Sequence, residues 1–190
     1  MTQEFDKSRL KSCGIDVRIA PSVVIRCPEL VSIGDHCAID DFVLITTALT
    51  LGDYIHIGPG VSIIGSRHAT CTMDHFGAIT AGCRLVCGSD DYLGSGMIGA
   101  CIPDAYHADV TYGTIRIGRH VVLGTNTVVH PGVTIGDGVA TGSLTLVTRD
   151  LAPWHVYTGI PARMHKVRPS ARILDAERRL RHDLYGDTRL

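Results

Sequence analysis

Histidine titrates nearest to neutrality of all side chains, which makes it the natural carrier of a proton in transit, and this chain has ten. His56 stands in D-Y-I-H-I-G-P-G, at the end of a six-residue unit that begins at Leu51, next to a corner. His75, in M-D-H-F, has a carboxylate beside it in Asp74. Further along, Asp90, Asp91 and Tyr92 put two acceptors and a ring side by side, a set suited to a polyhydroxylated ligand. His36 and His120 share a repeat position with Tyr54 and Phe76, which reads as a stack of rings at a corner. His107, His130, His155, His165 and His182 stand in no informative spacing. The chain contains no Walker loop and no dinucleotide fingerprint. Its seven cysteines are odd in number and form no C-x-x-C pair, so they read as reduced core thiols of a cytosolic protein rather than a zinc or disulfide framework. No metal is expected.

These residues are carried on a repeat. From Ile117 to Ala152 the first place of each hexad holds Ile117, Leu123, Val129, Ile135, Thr141 and Val147, and the fifth holds Val121, Thr127, Val133, Val139, Thr145 and Leu151. Apolar residues six apart, each followed four residues later by a small or β-branched one, suit short strands joined by corners, with three hexads to a coil of a parallel β-helix. Gly118, Gly124, Gly136 and Gly142 fall at second places, where the chain turns. The phase starts at Val17 and Val23, slips by about four residues through Glu29 to Ser32, and runs on from Ile33 to Ile63. A second slip, from Arg67 to Thr72, precedes Met73, Ile79 and Leu85. The expectation is an all-β chain of about six coils, on the order of 30 Å tall at the spacing of stacked strands. Residues 1–14 form a lead-in, 15–152 the coil domain and 153–190 a turn and an α-helix.

Residues 88–114 have no hexad phase and are rich in Gly, Asp and Tyr. A loop of that length inside so regular a repeat points to function. The helix is expected from about Ser170 to Tyr185, with Ile173, Leu174, Leu180 and Leu184 as its apolar side, placed to cap the open end of the coils or to brace a neighbour. A net charge of -1 offers no attraction to nucleic acid or an anionic membrane. The basic residues do concentrate from Arg163 onward, eight Lys or Arg against four Asp or Glu. The opening MTQEFDKSRLKS lacks an apolar signal core and no run reaches membrane-spanning length, so a cytoplasmic protein is expected.

The words "SIGDHCAIDDFVLIT" (32–46), "GDYIHIGPGVSIIG" (52–65), "GSDDY" (88–92), "PGVTIGDGVATGSLTLVT" (131–148) and "APWHVYTGIPA" (152–162), with Arg163 closing the last, resemble the hexapeptide-repeat acyltransferases. The likeness is nearest to sugar O- and N-acetyltransferases of surface-polysaccharide synthesis. It implies a left-handed parallel β-helix, a homotrimer with active sites between subunits, and acetyl-CoA as co-substrate. It also implies an acceptor amine or hydroxyl on a sugar, nucleotide-linked and bound for O-antigen or another surface glycan. His56 matches a family segment whose histidine lines the site and would serve as general base for direct attack on the thioester. Asp90 replaces the histidine of G-S-H-D in O-acetylating relatives, a departure that favours an amine or shifts the base role to His56. His75 could approach the same cleft and pair with Asp74 or Asp90, and the loop carrying Asp90, Asp91 and Tyr92 would reach a neighbouring subunit.

By the same resemblance, backbone amides at Gly124, Thr125, Gly142 and Ser143 would meet the pantetheine arm, and Arg163 and Lys166, just past Pro161, the adenosine phosphates. Three other readings stand beside this one. A xenobiotic or other small-molecule O-acetyltransferase would share the fold; a serine acetyltransferase would need a long helical segment before the coils, where only some dozen residues stand. A γ-carbonic-anhydrase-like metalloenzyme would need converging histidines, and His56, His68 and His75 fall at unlike coil places. A non-catalytic scaffold would have little use for the 88–114 excursion.

Overall fold

An inward side chain every six residues produces a prism only if each lands on its counterpart one coil away, and the register shows this. A computed structural model describes residues 5–185, so the first residues of the lead-in (1–4) and the end of the tail (186–190) lie outside the described residues. Three parallel sheets form the faces of a β-helix with six full coils. On the first face Cys13, Ile33, Leu51, Met73, Ile117 and Ile135 pair in sequence. On the second, Ile19, Ile39, Ile57, Ile79 and Leu123 do so. On the third, Ile25, Ile45, Ile63, Leu85, Val129 and Val147 complete the set. Most of these side chains are fully buried, and close packing of such columns is the main source of stability. The first paired strand, Ser12–Cys13, lies inside the stretch read as a lead-in, so the stack begins at Ser12 rather than Ile15.

Both slips in the hexad phase lie at one corner, between the third face and the first. One becomes a short turn at Pro28–Leu30 and the other a turn from Ser66 to the strand Thr70–Met73. Arg67 and Glu29 bridge the two at 3.2 Å. Residues 88–114 leave from the same corner as an arm, whose strand Gly88–Asp90 pairs antiparallel with Val110–Tyr112.

The first corner, between the first and second faces, carries the expected ring stack. His36 and Tyr54 lie 4.8 Å apart, Tyr54 and Phe76 5.1 Å, and Phe76 and His120 5.4 Å. Each of these residues has a left-handed backbone, φ +56 to +60°, which turns the chain through the corner. Gly138 occupies the same place in the next coil, and its missing side chain lets Trp154 reach down to within 6.1 Å of His120.

The C-terminal part departs from the expectation that the helix caps the prism. Strands His155–Thr158 and Arg163–Val167 extend the second face, and the turn between them bonds both sides of Leu146 through Gly159 O and the Ala162 amide. These residues cover the open end. The helix Ala171–Tyr185 instead runs back along the first corner. Its Glu177 is buried, accepts from Arg119 and from Arg181, and lies 2.7 Å from His120 Nε2. Burial, ahead of the Arg119 and Arg168 charges, pulls His120 below the usual imidazole range, and since a carboxylate accepts, it is Nε2–H that donates to Glu177. Arg181 covers the Phe76 ring.

Gly138→Ala places a Cβ 2.2 Å from the Trp154 ring at a residue with φ +66°. The left-handed backbone and the overpacking together should cost roughly 2–4 kcal/mol. A lowered melting midpoint and a red-shifted emission from this chain's single tryptophan are expected; an unchanged melt would contradict the packing.

Candidate functional site

The residues singled out from the sequence fall in four places. His56 projects from the middle of Ile55–Ile57 on the second face, between Ala38 and Ala78 of the neighbouring strands. The two alanines leave its ring free, and its Nε2 lies 2.8 Å from Asp40 Oδ2. With Arg18, His36 and Tyr54 the pair lines an open groove near the N-terminal end of the prism. Asp40 carried no signal of its own in the sequence reading. The available one was its place: it stands at a hexad second position where Gly58, Gly124 and Gly142 stand in other coils.

His75 lies at the first corner. There the side chain of one coil accepts from the backbone of the coil below: Asp35 from Ile15 N–H at 2.8 Å, Asp53 from Asp35 N–H at 2.8 Å, Asp137 from Arg119 N–H at 2.9 Å. His75 takes the aspartate's place in this column and accepts from Asp53 N–H through Nδ1 at 2.8 Å. Its proton is therefore on Nε2, 3.2 Å from Asp74 Oδ1. Both nitrogens are engaged in holding the corner, and His75 does not meet Asp90.

Asp90, Asp91 and Tyr92 stand on the arm, with distinct environments. The Asp91 carboxylate accepts from Leu93 N–H at 2.8 Å and Ser95 N–H at 3.3 Å, and these bonds hold it below the usual carboxylate range. It shapes the turn. Asp90 is half-buried and its carboxylate makes no hydrogen bond among the described residues. It faces a cavity under the arm together with Tyr92, His107, Tyr112, Ser66 and the apolar Ile64 and Val86. This cavity and the His56 groove share no lining residue. In a three-sided prism the corner that bears the arm lies across from the second face, so one chain does not bring His56 and Asp90 together.

The second corner, between the second and third faces, carries the four residues expected to meet a pantetheine arm. Two of their amides are taken. Gly124 N–H donates to Thr141 Oγ1 at 2.9 Å, and Gly142 N–H to Tyr157 O at 2.8 Å. The Thr125 and Ser143 amides have no acceptor among the described residues. A buried threonine network holds this corner from inside: Thr127 and Thr141 hydroxyls lie 2.8 Å apart, and Thr145 donates to Gly142 O at 2.7 Å. Thr127 and Thr145 stand at fifth places held by Val or Cys in other coils, and Thr141 at a first place held by Ile or Leu, and their hydroxyls bond the corner backbone. Pro161 lies in the turn just past, and Arg163 and Lys166 on the exposed strand Arg163–Val167.

Among the described residues no group of three or more His, Cys, Asp or Glu is arranged to hold a metal ion, and His56, His68 and His75 stand on three different sides of the prism. No helix among them is long and apolar enough to cross a membrane.

Thr141→Val removes the acceptor of the Gly124 amide and the partner of Thr127. A loss of about 1–3 kcal/mol, with faster hydrogen exchange at Gly124 than elsewhere in the corner, is expected, and Thr141→Ser should restore both.

Comparison with known proteins agrees with this geometry. Residues 114–149 match the bacterial transferase hexapeptide family of six repeats. The chain is 31% identical, over 93% of its length and 92% of the relative's, to a dTDP-4-amino-4,6-dideoxy-D-glucose acyltransferase of Escherichia coli. It superposes with a TM-score of 0.88 and 30% identity on AntD, an N-acyltransferase from Bacillus cereus solved with dTDP and 3-hydroxybutyryl-CoA, covering 94% of this chain and 93% of that one. A form of AntD with one serine changed to Cys has been solved with dTDP-4-amino-4,6-dideoxyglucose and coenzyme A (TM-score 0.89, 30% identity, 94% of each chain), and other forms have one aspartate changed to Asn or Ala. The chain belongs to the hexapeptide-repeat acyltransferases.

Proposed function

We propose that this chain moves an acyl group, acetyl in the first instance, from coenzyme A to the amino group of a nucleotide-linked sugar on its way to a surface glycan. The unpartnered Asp90 carboxylate in the arm cavity carries this reading. An alcohol needs a strong base to become a nucleophile, whereas an amine needs only to shed a proton, for which a carboxylate suffices. The acyl-CoA acyltransferase likeness over nearly the whole chain supports the reading.

The working unit is a homotrimer. Phe42 and Leu144, 74% and 62% exposed at the second corner, and Val24, Leu44, Val128 and Leu146 along the third face form an apolar strip for a second copy. Assembly brings the arm of one copy beside the second corner of another, which supplies what one chain lacks. The thioester lies along the second corner, its pantetheine arm bonded to the free Thr125 and Ser143 amides and its phosphates near Arg163 and Lys166. The amine attacks the carbonyl, Asp90 takes the proton, a corner amide steadies the oxyanion, and CoA leaves as thiol. His56, oriented by Asp40, is the competing base. The enzyme works in the cytoplasm, where acyl-CoA is at hand and its seven free cysteines stay reduced.

Thiol release should be seen with acetyl-CoA and dTDP-4-amino-4,6-dideoxyglucose or a related nucleotide-linked amino sugar. Asp90→Asn should lower kcat by about 10²-fold or more while leaving the KM for acetyl-CoA nearly unchanged, and His56→Asn should have the smaller effect. The reverse order would transfer the base role to His56, and no thiol release with any such sugar would sink the proposal. For the trimer, Phe42→Glu with Leu144→Glu should give monomers in sedimentation; an intact trimer would remove this strip from the interface.

A further inference from the structure

The arm cavity contains a second proton acceptor that its spacing in the sequence does not reveal. An aliphatic amine is largely protonated near neutrality, so the acceptor nitrogen sheds one proton to expose its lone pair and another once the C–N bond has formed. Written in full, R–NH3+ and an acyl thioester become an amide, a thiol and one free proton: the C–N bond forms, the C–S bond breaks, one proton ends on sulfur and one reaches solvent. A single carboxylate holds one proton at a time and must be cleared before it can take the next.

His107 faces the same cavity as Asp90. Its Nδ1 lies 2.7 Å from Ala108 O, and a carbonyl can only accept, so the neutral ring carries its proton on Nδ1 and its lone pair on Nε2. Nε2 has no partner among the described residues. The backbone around it is held: Met97 and His107 form a β-bridge, Ala108 N–H donates to Met97 O at 2.8 Å and Met97 N–H to Tyr106 O at 2.9 Å, and Ala108 is buried. The neighbouring alternatives are otherwise engaged. Asp91 is committed to its turn, and His68 packs on Tyr112 at 5.7 Å without lining the cavity.

We infer that His107 takes over from Asp90 the proton shed by the acceptor amine and passes it to solvent, so that Asp90 is free for the next transfer. The inference rests on the amino-sugar acyltransferase reading. His107 acts through Asp90 and is a positioning residue for the proton.

Asparagine can keep the hydrogen bond to Ala108 O, donated by its Nδ2 in place of the imidazole Nδ1, while lacking Nε2, which separates the proton role from the structural one. Thiol release with acetyl-CoA and dTDP-4-amino-4,6-dideoxyglucose should show a kcat about tenfold lower in His107→Asn, with the KM for acetyl-CoA unchanged. His107→Ala should lose at least as much and regain activity with added imidazole. Wild-type kcat in His107→Asn overturns the inference, as does a loss in His107→Ala that imidazole fails to restore. A wild-type protein that releases no thiol with nucleotide-linked amino sugars instead removes the acyltransferase reading itself, and the relay with it.

Discussion

A coil can join this prism only if its three inward side chains land on those of the coil before it. That condition ties every residue choice to the six-residue period, because an offset of one residue turns a core side chain outward and breaks three sheets at once. The corners have to turn the chain without altering the step. At the first corner they do so with non-glycine residues in the left-handed region, at a cost of about 1–2 kcal/mol each. His36, Tyr54, Phe76 and His120 offset it by stacking ring on ring, and the aspartate column beside them binds the backbone of each coil to the next. The docked helix, anchored through Glu177 to Arg119 and His120, covers the end of this corner where Phe76 and His120 lie.

Because that condition is periodic, the β-helix was legible in the sequence. Ile33 to Ile63 and Ile117 to Val147 repeat their inward residue without a break, and the ring stack followed from His36, Tyr54, Phe76 and His120 sharing a place. The ends obey no such period. Ser12–Cys13 pairs before the hexads are recognisable, and residues 155–167 cover the open end as a strand pair whose sequence reads as a turn.

Individual roles at the candidate site were less legible, because they depend on which groups are already bonded. His75 looks free beside Asp74 until its Nδ1 is seen accepting from the Asp53 amide. Asp90 and Asp91 are adjacent and chemically alike, yet one shapes a turn and the other faces a cavity. Gly124 and Thr125 are neighbours, and an inward hydroxyl on Thr141 claims the amide of the first and leaves that of the second. His107 carries no pattern, since its tautomer is set by the carbonyl of the very next residue.

The two slips and the arm all occupy the corner between the third and first faces, whereas the second corner keeps its hexad spacing through every coil. Length can thus vary at one edge of the molecule without disturbing the other. The edge proposed to meet the donor is locked by the lattice of the core, and the edge proposed to meet the acceptor is open to lengthening, shortening and replacement. On the proposed assignment, a change of acceptor in this scaffold is a change of loop, made without a new fold and without a new way of holding the thioester.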